Sequence, residues 1–341
     1  MFVFIIRRLL FLPVVFFGVT IFIVLLMQFL SPTQRAATYV RSEAQLRNID
    51  AIIDQYGLDK GPHVQYWNWL KQVLRGNWGF SKATGEPVWD SFKRRFPATF
   101  ELALLSFIPT MLVGVWLGSI SALNRDGIID QISRTTSIFL WSLPTFVLAI
   151  WLLVIFYGGL GWFGLGQVTT AHSLEIIRSN FHRYTGFLTL DSLLNGRFDI
   201  FLDVVNHMIL PIVTLVAIQS AQIVRIMRSS LLDTLTQDFV RTARAKGLAE
   251  SIVNRKHALR NALIPIITLG GFTIVGLLNG VVITETVFAY PGMGKWLADA
   301  AVQLDTASVM AGAVFTGLLV VIANMFADVL YAVIDPRIRY N

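Results

Sequence analysis

The sequence has 341 residues, 55% of them hydrophobic and 14% charged, and its mean hydropathy is positive. Soluble domains average roughly 25% charged residues, so this composition argues against a soluble globular protein. Cysteine is absent, which excludes disulfides and thiolate metal sites. The net charge of +7 suits either nucleic acid or an anionic membrane surface, depending on where the basic residues lie.

The apolar residues are concentrated in long uncharged runs. A helix that crosses a bilayer core needs about 20 predominantly apolar residues. Six runs reach this length, at residues 9–30, 102–123, 135–157, 204–224, 261–284 and 306–327. They predict an all-α integral membrane protein with six transmembrane helices. The first run is too long for a cleavable signal peptide and is interpreted as an uncleaved anchor. The Gly-rich stretch GGLGWFGLG at 158–166 is expected to be a re-entrant or surface segment.

The distribution of charge predicts the orientation. With the amino terminus inside, the internal segments are 1–8, 124–134, 225–260 and 335–341. The whole excess of +7 then lies on the internal side, as the positive-inside rule requires. This predicts a multi-pass membrane protein with both termini in the cytoplasm. Residues 31–98 and 158–203 become external, and helices are expected near 43–56 and 64–75.

The longest internal loop contains the most basic stretch, RTARAKGLAESIVNRKHALR at 241–260. Leu248, Ile252, Leu259 and Leu263 are spaced four, seven and four residues apart, which predicts one shared helical face. Gly247 predicts a break between a helix that ends near Lys246 and another that begins near Ser251. Such helices suit either a groove on a partner protein or an anionic lipid surface. Nucleic acid is not expected, because no aromatic residue is interleaved with the charges.

The residues around this loop resemble a known family. QDFVRTARAKGLAESIVNRKHALRNALIP resembles the loop between spans four and five in permease subunits of bacterial ABC importers of the dipeptide/oligopeptide family. Further similar stretches are YGLDKGPHVQYWNWLKQVLRGNWGFS, RRFPATFELAL, SLPTF, ETVFAYPGMGKW and NMFADVLYAVIDPRIRY. Together they are spread through nearly the whole chain.

The resemblance implies a type I ABC importer permease fold in the bacterial cytoplasmic (inner) membrane, with an external insertion between spans one and two. It divides the chain into residues 1–30, the insertion 31–98 and a core permease domain 99–341, with a coupling loop at 229–262. The implied partners are a homologous second permease, two cytoplasmic ATP-binding subunits, an extracytoplasmic substrate-binding protein and the lipid bilayer. ATP and Mg would bind to the partner subunits, so this chain is expected to hold no cofactor and to be no enzyme.

The same resemblance assigns candidate residues. In the general loop pattern Glu-Ala-Ala precedes the glycine, whereas this chain has Arg-Thr-Ala. The residues expected to couple to the ATPase are Arg241, Thr242, Ala243, Arg244, Ala245, Lys246, Gly247 and Leu248. The connection between spans five and six lies near the external mouth in the family. There Glu285, Tyr290, Pro291 and Gly292 are candidates for an external gate, with a passive role at the membrane exit left open for Glu285.

Catalytic and metal sites are not expected. YPGMGK lacks the first glycine and the final Ser/Thr of a phosphate-binding loop, since Ala289 and Trp296 occupy those positions. The five histidines are scattered and lack metal-ligand spacing. A stand-alone secondary transporter would need ionisable residues near the membrane midplane, which the six runs lack. The expected substrates are di- and oligopeptides, with oligosaccharides as the alternative because SPTQRAATYV departs from the family's usual turn after span one.

Overall fold

The computed structural model describes residues 2–36, 39–40 and 47–334. The start of the helix predicted at 43–56 and the carboxyl-terminal internal segment 335–341 lie outside the described residues. The described chain is mainly α-helical, with one short hairpin in which β1 (Phe80–Ser81) pairs antiparallel with β2 (Glu86–Pro87). The chain divides into two compact units, Met1–Ala98 with Pro291–Ile322 and Thr99–Tyr290 with Ala323–Asn341.

The first unit contains the amino-terminal helix and most of the predicted external insertion. Its helices are α1 (Phe2–Met27), α2 (Pro32–Ala36), α3 (Ile49–Tyr56) and α4 (Pro62–Leu74), and later in the chain α14 (Met293–Val302) and the first part of α15 (Thr306–Ile334). Helix α4 corresponds to the helix predicted at 64–75.

A buried carboxylate holds the hairpin of this unit. Asp305 accepts hydrogen bonds from Ser81 Oγ at 2.8 Å, Ala83 N at 3.1 Å and Ser308 Oγ at 2.7 Å. Val88, Trp296 and Phe315 form the apolar cluster beside it. Burying a carboxylate is costly unless it is fully hydrogen-bonded, so these donors allow Asp305 to lie in the core.

The second unit contains the remaining helices. They are α5 (Val88–Leu123, whose first turns belong to the first unit), α6 (Ile128–Ser142), α7 (Thr145–Leu152, continued by a π-helical segment Leu153–Gly159), α8 (Thr170–Arg178), α9 (Leu188–Leu194), α10 (Phe198–Leu235), α11 (Asp238–Ala245), α12 (Glu250–Ile252, continued by a π-helical segment Val253–Ala258) and α13 (Leu259–Val287).

Helices α5 and α10 approach each other closely at glycines. A Cβ on Gly118 would lie 2.6 Å from Met227 Cβ and 2.8 Å from the Val224 carbonyl oxygen. A Cβ on Gly114 would lie 2.5 Å from Ile223 Cγ2. Small residues at helix crossings allow backbones to approach closely in membrane proteins. The two glycines, one turn apart, therefore set the distance between α5 and α10.

Three helices of the described residues are long and apolar enough to cross a membrane, within Val88–Leu123, Phe198–Leu235 and Thr306–Met325. A fourth span results if α6 and the helix of Thr145–Gly159 count as one, although they are bent by 104°. Within the predicted span 135–157 the helix is broken at Pro144, because a proline disfavours helical geometry in the residue before it, and Leu143 is extended. The six-span topology stays a prediction.

Candidate functional site

The loop predicted to couple to an ATPase contains one short helix with a defined stop. Helix α11 ends at Ala245, and Gly247 adopts a left-handed conformation with φ of +74°. Gly247 N donates to Arg244 O at 2.9 Å and Leu248 N donates to Ala243 O at 3.4 Å. These two bonds form a Schellman motif, for which glycine is the favoured residue. The next helix begins at Glu250, so the glycine break lies where the sequence predicts it.

A charged pair spans this break. Arg244 Nε donates to Glu250 Oε1 at 2.8 Å, and Nη2 donates to Oε2 at 3.4 Å. Two parallel bonds between a guanidinium and a carboxylate fix orientation as well as distance. Arg244 therefore holds the two sides of the loop together, and its side chain is already engaged within the chain.

One face of α11 is buried against other helices of the second unit. Val240 is fully buried and Ala243 is 5% exposed, in the same apolar cluster as Ala122 of α5 and Met227 and Leu231 of α10. Of the eight predicted coupling residues, Ala243 is the one that packs inward. Because core packing transmits displacement, a movement of α11 acts directly on α5 and α10.

The opposite face of the loop is open. Six predicted coupling residues besides Arg244 are exposed, and they are Arg241, Thr242, Ala245, Lys246, Gly247 and Leu248. Phe239 is 43% exposed and Ile252 is 45% exposed, so apolar side chains flank the basic ones. The side chains of Lys246, Arg255, Lys256 and Arg260 make no ion pair within the part of the chain that the structure describes. The exposed face thus offers unengaged cations beside apolar side chains.

The prediction of one shared apolar face is wrong. Leu248 precedes the second helix, and the π-helical segment Val253–Ala258 separates Ile252 from Leu259. Leu248 and Ile252 point outward, whereas Leu259 and Leu263 pack against the buried cluster. The wider π turn changes the angular spacing along the helix, so a pattern based on 3.6 residues per turn fails there.

A buried ion pair beside the loop was not found from the sequence. Asp130 of α6 is fully buried and accepts from Arg228 Nε at 2.5 Å and Nη2 at 2.6 Å, and from Ser121 Oγ at 2.5 Å. The Asp126 backbone N–H donates a further hydrogen bond to the Asp130 carboxylate at 3.0 Å. Helices α5, α6 and α10 are thereby joined at one point. An arginine at the end of a span was the only signal, and it carried no information about its partner.

The candidate gate residues are distributed over both units. In the second unit, Glu285 is fully buried and accepts a hydrogen bond from Thr99 Oγ1 at 2.6 Å. Tyr290 is also fully buried, and its hydroxyl accepts from Gln167 Nε2 at 3.5 Å. In the first unit, Pro291 is exposed, whereas Gly292 is buried and caps the amino terminus of α14.

The Gly-rich stretch lies against the same end of α13. Gly166 N donates to Phe288 O at 2.9 Å, and Gly164 N donates to Asn206 Oδ1 at 3.1 Å. A Cβ on Gly164 would lie 1.9 Å from His207 Nε2, so only glycine fits over this ring. The stretch is therefore fixed to α10 and to the end of α13, where two of the gate candidates lie.

A polar cluster lies at the junction of α8 and α10. His172, Glu175 and Asp199 place ligand atoms within 4.8 Å of one another. Arg197 donates to Glu175 at 2.7 Å and to Asp199 at 2.6 Å. The hydrogen bond from Arg197 holds the pKa of the partly exposed Glu175 carboxyl below its usual range. Since the Arg197 guanidinium already pairs with both carboxylates, ion pairing explains why these side chains lie so close together.

Comparison with known proteins agrees with this architecture. Residues 114–340 match the family described as binding-protein-dependent transport system inner membrane component. Residues 1–103 match the amino-terminal domain described for the same kind of membrane component. The matches together include the buried Asp130–Arg228 pair, the loop and the predicted insertion.

The chain belongs to this family of inner membrane transport components. It is 38% identical over 341 residues to the di/tripeptide transport system permease protein DppB of Pseudomonas aeruginosa, covering 99% of both chains. It is 36% identical over 290 residues to the dipeptide transport system permease protein DppB of Escherichia coli K12, covering 85% of both. It is 35% identical over 338 residues to the oligopeptide transport system permease protein AppB of Bacillus subtilis, covering 99% of both.

Membership confirms the resemblance found in the sequence. The chain is a membrane transport component, and its apolar helices agree with the inner-membrane placement of the family. The roles assigned to individual residues of the loop and of the external connection stay predictions.

Proposed function

We propose that this chain is the permease subunit of an ATP-driven importer of di- and oligopeptides. Relatives that are 35–38% identical over 85–99% of their length carry names of peptide transport permeases. Identity at this level along the full chain supports the same substrate class. Oligosaccharide import is not favoured, because these relatives are named for peptides.

The proposed assembly has four further subunits. A homologous second permease completes the pathway, two cytoplasmic ATPases bind ATP and Mg, and a substrate-binding protein delivers the peptide from outside. The six predicted spans place both termini of this chain in the cytoplasm. The energy comes from nucleotide, which binds with different affinity to two conformations of the assembly. The permease transmits the resulting motion as a rigid-body movement of its helices.

The observation that carries this proposal is the two-sided geometry of α11. Its inner face packs through Val240 and Ala243 on α5 and α10, and its outer face presents Arg241 and Lys246 to solvent. A helix in a partner's groove is the usual way for an amphipathic segment to dock. An ATPase that grips the outer face would therefore displace the helices that line the pathway.

A pulldown tests this assignment. The double variant Arg241→Glu/Lys246→Glu reverses two exposed charges and leaves the buried face of α11 intact. We expect it to lose ATPase binding by at least tenfold while it retains the second permease. Arg178→Glu, an exposed change on α8, is the matched control and should bind like the unmodified chain. Full ATPase binding by the double variant would refute the assignment of the coupling surface.

At the other end of the second unit, we propose that Glu285 and Tyr290 belong to an external gate. Their burial and their bonds to Thr99 and Gln167 support a closed arrangement that must change when the pathway opens. Gln167→Ala removes one of these bonds and is expected to raise ATPase activity in the absence of peptide. Unchanged basal ATPase activity in Gln167→Ala would count against this role.

A further inference from the structure

The short helix α9 lies in a segment without an assigned role. It exposes apolar side chains and buries polar ones, which is the reverse of the usual arrangement at a surface in water. Its exposed side chains are Leu190, Leu193 and Leu194, which are 46%, 42% and 61% exposed. Its buried positions include the polar residues Thr189, Asp191 and Ser192. A helix at a water-facing surface buries its apolar side and exposes its polar side. The outer environment of α9 is therefore apolar.

Amide groups at the amino-terminal end of α9 have partners within the protein. Glu101 of α5, 2% exposed, accepts from the backbone N–H groups of Leu188 at 3.2 Å and Thr189 at 2.9 Å, and from the Thr189 hydroxyl. Asp191 accepts from Thr185 N at 2.8 Å and from Gly186 N at 3.0 Å. Glu101 thus serves two of the amide groups that a helix start leaves without partners, and Asp191 serves two amide groups of the turn before the helix.

Carbonyl groups at the carboxyl-terminal end of α9 also have partners within the protein. Arg197 N donates to Ser192 O at 2.9 Å and Gly196 N donates to Leu193 O at 3.0 Å. The Asn195 side chain donates to the carbonyl oxygens of Asp191 at 2.7 Å and His182 at 2.8 Å. Backbone that lies in hydrocarbon must find all its hydrogen bonds within the protein. The backbone groups named at the two ends of α9 find their partners within the protein in this way.

The apolar face of α9 continues on neighbouring helices. Along α10 the exposed residues Phe198, Leu202, Val205 and Val213 extend it away from α9. Phe187, just before α9, stacks on Phe100 of α5 at 6.0 Å between ring centroids. The exposed residues Phe100, Leu104, Ile108 and Leu112 form a stripe with a spacing of four on that helix. Both stripes belong to helices long and apolar enough to cross the membrane.

We propose that α9 is inserted in the outer leaflet of the bilayer, with Leu190, Leu193 and Leu194 in contact with lipid acyl chains. The charged side chains nearby define its depth. Glu175, Arg197 and Asp199 form an ion-paired group next to the carboxyl-terminal end of α9, so that end lies at the headgroup level. Between 187 and 194 the single charged residue is Asp191, which is 1% exposed. The occupant of the face is thus lipid, since the apolar surface continues directly on spanning helices.

The insertion of α9 in the membrane explains why Glu101 is buried. A carboxylate buried at the start of a predicted span is costly, and it is tolerated where it satisfies several donors. Glu101 lies in the protein interior, and its hydrogen bonds hold α9 on α5. The segment 158–203, which is predicted to be external, therefore includes a membrane-inserted helix that joins the outer ends of α5 and α10.

Single-cysteine labelling tests the proposal directly. The chain has no cysteine, so Leu190→Cys, Leu193→Cys and Leu194→Cys need no background changes. Each variant is reconstituted with its partner subunits in lipid nanodiscs and labelled with a nitroxide. Power saturation then compares collisions with oxygen, which partitions into lipid, and with a polar nickel chelate, which stays in water. Ser179→Cys, exposed in the connection after α8, is the water-facing control.

At the three leucine positions we expect oxygen collisions to exceed nickel collisions, and at Ser179→Cys the opposite. Nickel collisions at the leucine positions equal to those at Ser179→Cys would place α9 in water and overturn the proposal. Low collisions with both reagents would place the second permease on this face and would overturn it as well. The result depends on membrane insertion and not on peptide specificity, so it is independent of the proposed substrate.

A measurement on the unmodified chain covers variants that fail to assemble. Lipids with a photoactivated carbene group in the acyl chain modify the side chains that they touch. Mass spectrometry should find adducts between 187 and 202 and none between 175 and 184. Adducts on α10 around Val213 in the absence of any between 187 and 202 would contradict the proposal.

Discussion

Of the residues in the second unit, Asp130 is the one whose substitution should lower the stability of the protein most. It is fully buried and binds Arg228 through two bonds of 2.5 and 2.6 Å. Asp130→Asn leaves the guanidinium, which is 19% exposed, without its counter-ion. Loss of one partner of a buried pair lowers stability by about 3–5 kcal/mol. The thermal midpoint of the purified permease pair, read by size-exclusion chromatography, should fall markedly.

Asp126→Asn is the matched control for this change. Asp126 is 72% exposed and pairs with Arg125 in solvent, where an ion pair contributes about 0–1 kcal/mol. The thermal midpoint of Asp126→Asn should stay near that of the unmodified protein. Equal midpoints for Asp130→Asn and Asp126→Asn would contradict a structural role for the buried pair.

Gly118 is the second residue with a large expected effect. In Gly118→Ala the new methyl group would lie 2.6 Å from Met227 Cβ and 2.8 Å from a backbone oxygen, so the two helices must separate. Such overpacking costs about 1–3 kcal/mol. Gly18→Ala is the control, because nothing lies within 4 Å of its position. A thermal midpoint of Gly118→Ala at or above that of Gly18→Ala would contradict the close helix crossing.

At the scale of elements, the Arg244–Glu250 pair should control coupling more than stability. The two side chains are 41% and 62% exposed, so the pair contributes at most about 1 kcal/mol to stability. It nevertheless joins the end of α11 to the start of α12 by two hydrogen bonds, and from this we infer that it sets the angle between them. Arg244→Glu and Glu250→Arg should each lower the peptide transported per ATP hydrolysed several-fold, with normal assembly.

The double variant Arg244→Glu/Glu250→Arg restores the pair with reversed charges. It should recover most of the coupling ratio, which distinguishes this pair from a direct contact with the ATPase. Single variants that couple as well as the unmodified chain would show that the angle is set elsewhere.

Some of these elements could be predicted from the sequence and others could not. Gly247 after a basic helical stretch is a local stop signal, and the structure has the break there. The π-helical turn at Val253–Ala258 left no local signal, which is why the predicted common face of Leu248, Ile252, Leu259 and Leu263 failed. Asp130 and Arg228 are far apart in the chain, and hydropathy patterns hold no information on such pairing. Leu190, Leu193 and Leu194 are spaced as in an amphipathic helix, but only burial shows that their side faces outward.

At the scale of the whole molecule, the predicted sidedness places 241–260 and 158–203 on opposite faces of the membrane. Lys256 and Ser179 are both exposed, so single cysteines there should react with soluble reagents. In intact cells with a permeable outer membrane, an impermeant maleimide should label Ser179→Cys and spare Lys256→Cys until the inner membrane is opened. Labelling of Lys256→Cys in intact cells would reverse the orientation.

The measurement that tests the central claim most directly is dipeptide uptake into proteoliposomes that contain the complete assembly, with the binding protein on the outside. We predict uptake that requires ATP and both ATPase subunits inside the vesicles, and that is lost in Arg241→Glu/Lys246→Glu. Uptake that proceeds without the ATPase subunits, driven by an ion gradient, would contradict the assignment of this chain as a permease coupled to ATP hydrolysis.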